Sequence, residues 1–424
     1  MKQTAENHLI SFSPYQKLVI AILALLQFTV VLDFMVLSPL GDILMKSLKI
    51  SPSGFGLIVS SYAFSAGISG FLAAGFADKF DRKKLLTFFY AGFILGTLFC
   101  GLANSYPLLM AARIVTGLFG GVIGSISLAI VTDLFEINQR GRVMGFIQMA
   151  FAASQVLGIP IGIYIATIWN WHATFLMIVG VAIIIYLVML LKVKPVDAHL
   201  KLQSDKNPFL HLFHTISNKS YMVAFSATAL LSVGGFMLMP FGSAYLVNNI
   251  GITHDQLPLV FMFTGIASII IMPLIGRISD KMDKFVLFCC GSALAIVMIL
   301  IYTNLNPVPL WQIIVINMVL FMGIMSRMIP ATTLTTSIPE MKDRGAFMSI
   351  NSSLQQMAGG LAAITAGLIV TQQNENSPLQ NYGTLGIVVS LVIVVCAFLV
   401  YRVSELAKRK NAAAKTEEVV VVME

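Results

Sequence analysis

About twelve apolar stretches, each close to twenty residues long, run through this chain and leave few architectures open to it. A helix rises 1.5 Å per residue, so ~20 apolar residues cross the ~30 Å hydrocarbon layer of a bilayer. The stretches fall near 17–39, 54–76, 85–103, 107–132, 143–166, 173–193, 221–247, 256–277, 285–303, 309–334, 345–370 and 382–402, and are numbered spans 1 to 12. In hydrocarbon the backbone must satisfy its own hydrogen bonds, which a helix does within one segment. The expected fold class is therefore an all-α membrane protein. Composition agrees: 57% of residues are hydrophobic and 11% charged, against ~25% charged in a soluble domain. The N-terminal segment enters span 1 without a small-residue cleavage site, so span 1 reads as a retained helix.

The net charge of +8 points first toward nucleic acid, but its placement is topological. Of 27 Lys and Arg, 23 lie at the termini or in the loops after even-numbered spans. The loops of the other face hold two, Lys46 and Lys49, and Arg113 and Arg327 lie within spans. By the positive-inside rule both termini and the loops near 78–84, 194–219 and 278–284 are expected in the cytoplasm. Trp169, Trp171 and Trp311 then fall at the outer interface. Cys100, Cys289, Cys290 and Cys396 sit in apolar segments and read as small core residues. His8, His172, His199, His211, His214 and His254 fall in loops or near span ends, with no metal-ligand spacing, and no cofactor is expected.

A repeat organises the spans. Asp78-Lys79-Phe80-Asp81-Arg82 after span 2 matches Asp280-Lys281-Met282-Asp283-Lys284 after span 8, an offset of 202. Glu136, Arg140-Gly141 and Met144 match Glu340, Arg344-Gly345 and Met348 at an offset of 204. Basic loops alone do not require the matching acids and glycines. The expected domains are a six-helix bundle over 1–193, a linker over 194–220, a second six-helix bundle over 221–402, and a disordered tail over 403–424. Parallel repeats of this kind place a site at their interface near the bilayer midplane.

These residues resemble the major facilitator superfamily over essentially the whole chain, and its twelve-span drug:proton antiporter and small-molecule efflux branch in particular. Gly75-Phe76-Ala77-Asp78-Lys79-Phe80-Asp81-Arg82-Lys83-Lys84 is similar to the family's Gly-x-x-x-Asp-Arg-x-Gly-Arg-Arg loop, with Ala74 at the first glycine position and Asp81 at the second. Leu109, Arg113 and Gly117 are similar to its Leu-x-x-x-Arg-x-x-x-Gly pattern in span 4. Trp171-His172-Ala173-Thr174-Phe175 resembles Trp-Arg-x-x-Phe at the start of span 6, with His172 replacing arginine. Gly158-Ile159-Pro160-Ile161-Gly162 resembles the span-5 antiporter signature, one residue out of spacing. The resemblance implies two pseudo-symmetric six-helix halves around a central cavity.

Three charges stand alone in the spans: Asp33, Arg113 and Arg327. Such a charge costs ~2.5–3.5 kcal/mol on insertion scales, so it usually lines a wet path or pairs with another charge. Counting from the span ends puts Asp33 and Arg113 at similar height in the outer third, and the resemblance places spans 1 and 4 together at the cavity. Asp33 reads as the proton carrier and Arg113 as the cation that tunes it; a static ion pair and a substrate contact stay open. Arg327 lies deeper in span 10 with no acid at its depth. It reads either as a cavity group for an anionic or hydrogen-bonding ligand or as a structural residue.

Gln148, Gln155, Asn317, Asn351 and Gln355 are the polar candidates for the substrate cavity; Gln27 and Gln356 are further polar groups in the spans. Glycines 117, 120, 121 and 124 form a packing face. Asp78, Lys79 and Arg82, with Asp280 and Lys281, read as a cytoplasmic gate, a role the resemblance supports. No phosphate loop, zinc spacing or nucleophile elbow is present, so no enzyme is expected.

The reading is a monomeric, proton-coupled secondary transporter in the inner or plasma membrane, exporting a small organic molecule by alternating access. The partners implied are the substrate, protons and the lipid bilayer, without nucleic acid. A nutrient symporter or facilitator for a sugar or organic anion, and an uncoupled transporter-like receptor or lipid-moving protein, remain as alternatives.

Overall fold

The structure, a computed structural model, describes residues 12–197, 200, 208–340, 343–374 and 376–423. The Asp78 side chain, His8 and His199 fall outside the described set. Helices dominate, and among the described residues the one extended pairing is an isolated bridge between Thr371 and Gln380.

In the first half the spans are Pro14–Val36, Pro52–Phe76, Arg82–Leu102, Tyr106–Leu134, a fifth over 137–168, and Trp171–Lys192. In the second they are 219–250, Leu257–Lys281, Lys284–Thr303, Leu310–Ser337, Arg344–Ile369 and a last helix from Tyr382. Eleven are long and apolar enough to cross a membrane. Span 11 falls short only in apolarity, because its 26 residues include several Ser, Asn, Gln and Gly. It is nevertheless packed between spans 2 and 7, and so completes the twelve.

Local chemistry explains the span ends. Ser13 caps span 1 as a capping box with Gln16, and Pro14 opens the helix where a missing N–H is harmless. Ser51 with Pro52 starts span 2 in the same way, and Asp81 caps span 3.

The structure departs from the sequence reading at four places. Span 5 carries a π-turn over Ser154–Gly158, just before Pro160. Span 7 breaks after Phe236, where Pro240 lacks the N–H of a continuous helix, and ends in a second π-turn over Leu246–Ile250. The expected linker contains a helix, Pro208–Ser217. The tail expected to be disordered instead prolongs the last helix to Met423, as its run of Ala, Lys and Glu favours.

Spans 2 and 11 cross the boundary between halves on small residues. A methyl on Gly56 would stand 2.6 Å from the Ala363 carbonyl, and one on Gly67 would stand 2.9 Å from the Ser353 carbonyl. Glycine there allows backbones to approach, as in membrane helix pairs generally. Within the first half, Gly117, Gly120 and Gly121 meet Tyr62, Ser65 and Ala66 of span 2 in the same manner, whereas Gly124, expected on the same packing face, is exposed with nothing closer than 4.0 Å.

The two faces of the molecule differ. Near the basic loops the apolar core divides into one cluster inside each half. Toward the opposite face a single cluster runs across both, from Leu37, Leu40 and Phe55 to Phe241, Tyr245 and Leu246. The molecule is sealed between its halves on the face poor in Lys and Arg.

Candidate functional site

Four spans of the first half converge on Asp33. Arg113 Nη1 donates to Asp33 Oδ2 at 2.7 Å, and Thr97 Oγ1 donates to Oδ1 at 3.3 Å. Both charged side chains are closed to solvent, Asp33 at 0% and Arg113 at 1% exposure. The guanidinium also lies over the Tyr62 ring, 4.4 Å from its centroid, so spans 1, 2, 3 and 4 each contribute. The depths counted from the sequence are therefore matched: spans of opposite direction bring acid and base to one level. The carboxyl faces the bundle and not the acyl chains.

Span 5 closes the site from the side. A methyl on Gly158 would meet Leu32, and one on Gly162 would meet Val36, so the two glycines bracket the turn of span 1 that carries Asp33. Toward the other half the cover is aromatic. Phe34 packs on Tyr62 at 5.2 Å and on Phe236 of span 7 at 5.9 Å between ring centroids. One aromatic layer separates the ion pair from the boundary between halves.

Arg327 is not part of this cluster. It lies inside the second half at 1% exposure, beside Gly234 and Ile393, with its guanidinium 5.9 Å from the Phe288 ring centroid. Its Nε and Nη2 have no hydrogen-bond partner. Of the polar candidates, Gln155 sits in the π-turn of span 5, where that turn meets Gly265 of span 8 at the boundary between halves. Its Oε1 is buried and unpartnered, as is Oδ1 of Asn351 on span 11. Gln148 is exposed and Gln355 half-buried, whereas Asn317 donates to the Ile313 carbonyl of its own helix at 3.0 Å. Nothing draws Asn317 toward the other candidates.

The contacts described for the gate candidates on the basic face lie within one half. Arg82 binds Asp133 at 3.3 Å and the Ala77 carbonyl at 3.1 Å, all within the first half. Lys79, Asp280 and Lys281 are exposed. Asp283 caps span 9 and pairs with Lys408 of the last helix at 3.3 Å. Burial raises its carboxyl, but the backbone N–H of Val286 and the Lys408 ammonium outweigh this and hold it below the usual range.

Among the described contacts, polar ones that join the halves lie on the opposite face, and the sequence reading missed them. The short helix Gly41–Leu48 after span 1 carries Asp42 and Lys46 one turn apart. Lys46 Nζ donates to Asp42 Oδ2 at 2.8 Å and to Asn248 Oδ1 of the second half at 3.1 Å. Asn248 Nδ2 donates to Asp42 Oδ1 at 2.5 Å, and His254 Nε2 stands 3.3 Å from Oδ2. Ser243 adds a bond to the Ser38 carbonyl at 2.8 Å. Burial works to raise the Asp42 carboxyl, but its bonds to His254, Lys46 and Asn248 prevail and keep it below the usual carboxylate range. A signal was present: Lys46 is one of two basic residues on a face otherwise without them, four residues from an acid.

Comparison with known proteins agrees with this architecture. The sequence profile described as Major Facilitator Superfamily matches residues 23–363 and 224–422. The chain is 23% identical over 383 residues to the uncharacterized MFS-type transporter YbcL of Bacillus subtilis, covering 90% of this chain and 95% of that one. It is 25% identical over 284 residues to a probable sugar efflux transporter of Helicobacter pylori, covering 66% and 71%. Among solved structures, a bacterial homologue of the human lysosomal transporter Spinster, inward-facing and unoccupied, superimposes with a TM-score of 0.75 at 15% identity, covering 94% of this chain and 99% of that one. A D-xylose-proton symporter gives 0.71 at 16%, covering 89% and 97%.

Proposed function

Because this chain belongs to the Major Facilitator Superfamily, a family of membrane transporters and not enzymes, we propose that it is a proton-coupled antiporter that exports a small organic molecule by alternating access. The observation that carries this reading is the buried Asp33–Arg113 pair at 2.7 Å. A carboxylate in such a site is governed by two opposed effects, desolvation favouring its protonated form and the guanidinium favouring its charged form. A tilt of the halves that parts Phe34 from Phe236 lets water reach the carboxyl and changes the balance. Asp33 then takes a proton on one side of the membrane and yields it on the other, with Arg113 as the cation that sets its affinity. The proposed substrate path runs between the halves, past Gln155 and Asn351, whose unpartnered oxygens suit a hydrogen-bond donor, and past Gln148 and Gln355.

The apolar cluster that runs across both halves on the face poor in Lys and Arg supports a molecule open toward the basic loops, hence toward the cytoplasm by the positive-inside rule. Asp78, Lys79, Arg82, Asp280 and Lys281 would then close that side in the other state, and both termini lie in the cytoplasm of a cell whose inner or plasma membrane holds the protein as a monomer. The names of its relatives make sugars the first solutes to assay.

Purified protein in proteoliposomes decides the matter. A proton gradient directed into the compartment holding the solute should drive the solute out against its own gradient. A second reading, proton–sugar symport, is favoured by the likeness to the xylose-proton symporter; it requires solute to move in with the proton. Equal solute flux with and without the gradient would exclude both.

A further inference from the structure

The two halves repeat each other, but their buried arginines are not treated alike. Arg113 has Asp33 across from it in span 1. Offsets of 202 and 204 carry Asp33 onto residues 235–237 of span 7, which are Gly235, Phe236 and Met237. No acid stands there. The same offsets carry Arg113 onto residues 315–317, so Arg327 is not its repeat partner; it lies ten residues further along span 10, equally sealed at 1% exposure, and faces Gly234. A methyl built on Gly234 would lie 3.4 Å from Nη1 and 3.6 Å from Nη2, so span 7 presents bare backbone to the guanidinium.

An arginine cannot shed its charge at any physiological pH. A buried charge left without a partner is strongly destabilising, and the membrane interior offers no water to relieve it. The other groups around Arg327 do not compensate it. Phe288 offers a ring at 5.9 Å, at the outer limit of a cation–π contact. Cys396 is in side-chain hydrogen-bond contact with the guanidinium, but it is a thiol, ordinarily uncharged at neutral pH and a weak acceptor. Among the described residues no carboxylate pairs with Arg327, and Nε and Nη2 keep unused donors. Two adjacent guanidinium donors on one edge are the fork that grips a carboxylate or a compact inorganic anion.

We infer that Arg327 is the binding group of an anion subsite inside the second half, between spans 7, 9, 10 and 12, taking a compact monovalent anion. The chemistry is shared by a free halide and by a carboxylate group. The subsite would supply Arg327 with a diffusible anion where the chain supplies no tethered one. It does not depend on proton coupling or on the direction of transport.

The test uses the full-length protein in detergent and reads its thermal unfolding midpoint, which transport plays no part in. Sodium chloride and sodium acetate are compared with sodium gluconate at equal ionic strength. An anion that binds only the folded state raises the midpoint in a saturable way, here by about 2 °C or more. Arg327→Met should abolish the response. Gly234→Asp, which supplies a tethered carboxylate, should be insensitive to the added anion while unfolding at or above the wild-type midpoint. A response to both chloride and acetate assigns the site to free anions; a response to acetate alone assigns it to carboxylate ligands. The same midpoint in all three salts for the wild type, or an undiminished response in Gly234→Asp, would overturn the inference even if Arg327→Met does not fold.

Discussion

Lys46 and Asn248 belong to opposite halves of the molecule and share a 3.1 Å hydrogen bond on the face poor in basic residues. Each also binds Asp42, so three side chains close a ring across the boundary. Asn248 reaches it because it sits in the π-turn that ends span 7; such turns commonly mark functional sites.

If this ring holds the face shut, Asn248→Ala should loosen it without unfolding the halves. A cysteine placed at Tyr245, buried at 2%, should then react with an impermeant maleimide from that face at least about tenfold faster, the equivalent of ~1.4 kcal/mol. An unchanged labelling rate would assign the closure to the apolar cluster alone.

The ring should also respond to acid. The Asp42 carboxyl is held below the usual range by its hydrogen bonds, so the charged form is the one that stabilises. That contribution is complete above the unfolded value of about 3.9 and is lost as pH falls through the depressed folded value. Labelling at position 245 should stay slow through neutral and mildly acidic pH and rise only below about pH 4. Asp42→Asn should remove this acid-dependent step.

Asp33→Asn leaves the Arg113 guanidinium buried without its anion. Loss of one partner of a buried pair typically costs about 3–5 kcal/mol, so the variant should melt earlier as well as lose uphill transport. The double variant Asp33→Asn, Arg113→Gln should recover much of the stability and none of the coupling. Coupled transport retained by Asp33→Asn would remove this carboxyl from the proton path.

Phe236 is the part of the aromatic cover supplied by the second half, 5.9 Å from Phe34. Phe236→Ala should thin the barrier between the ion pair and the boundary, and raise proton leak in substrate-free proteoliposomes. A pH-sensitive dye inside the vesicles reads it; no change would place the barrier elsewhere.

At the crossing of spans 2 and 11, Gly56→Val would force a side chain to within 2.6 Å of the Ala363 carbonyl. Backbone cannot yield as a side chain does, and overpacking of this kind costs about 1–3 kcal/mol. The expected result is a lower unfolding midpoint. Gly141→Ala, at a position with open space around it, should leave the midpoint unchanged.

The crossings and the internal repeat were legible in the sequence, because they follow from one-dimensional properties; that Asp33 and Arg113 share a level was too, but their meeting needed the family resemblance that places spans 1 and 4 together. Apolar length sets a crossing, basic loops set its direction, and a lone charge in hydrocarbon must find compensation. Tertiary structure alone decided what each charge meets. Asp42, Lys46 and Asn248 are ordinary polar residues in connecting segments, and they become a ring only because two halves about two hundred residues apart in sequence close on that face. Arg327 read equally as cavity group or structural residue. Its surroundings, glycine and apolar side chains from three other spans, come from helix packing that periodicity does not encode. The breaks in spans 5 and 7 escaped for a related reason, since hydropathy registers how apolar a stretch is and not how its backbone turns.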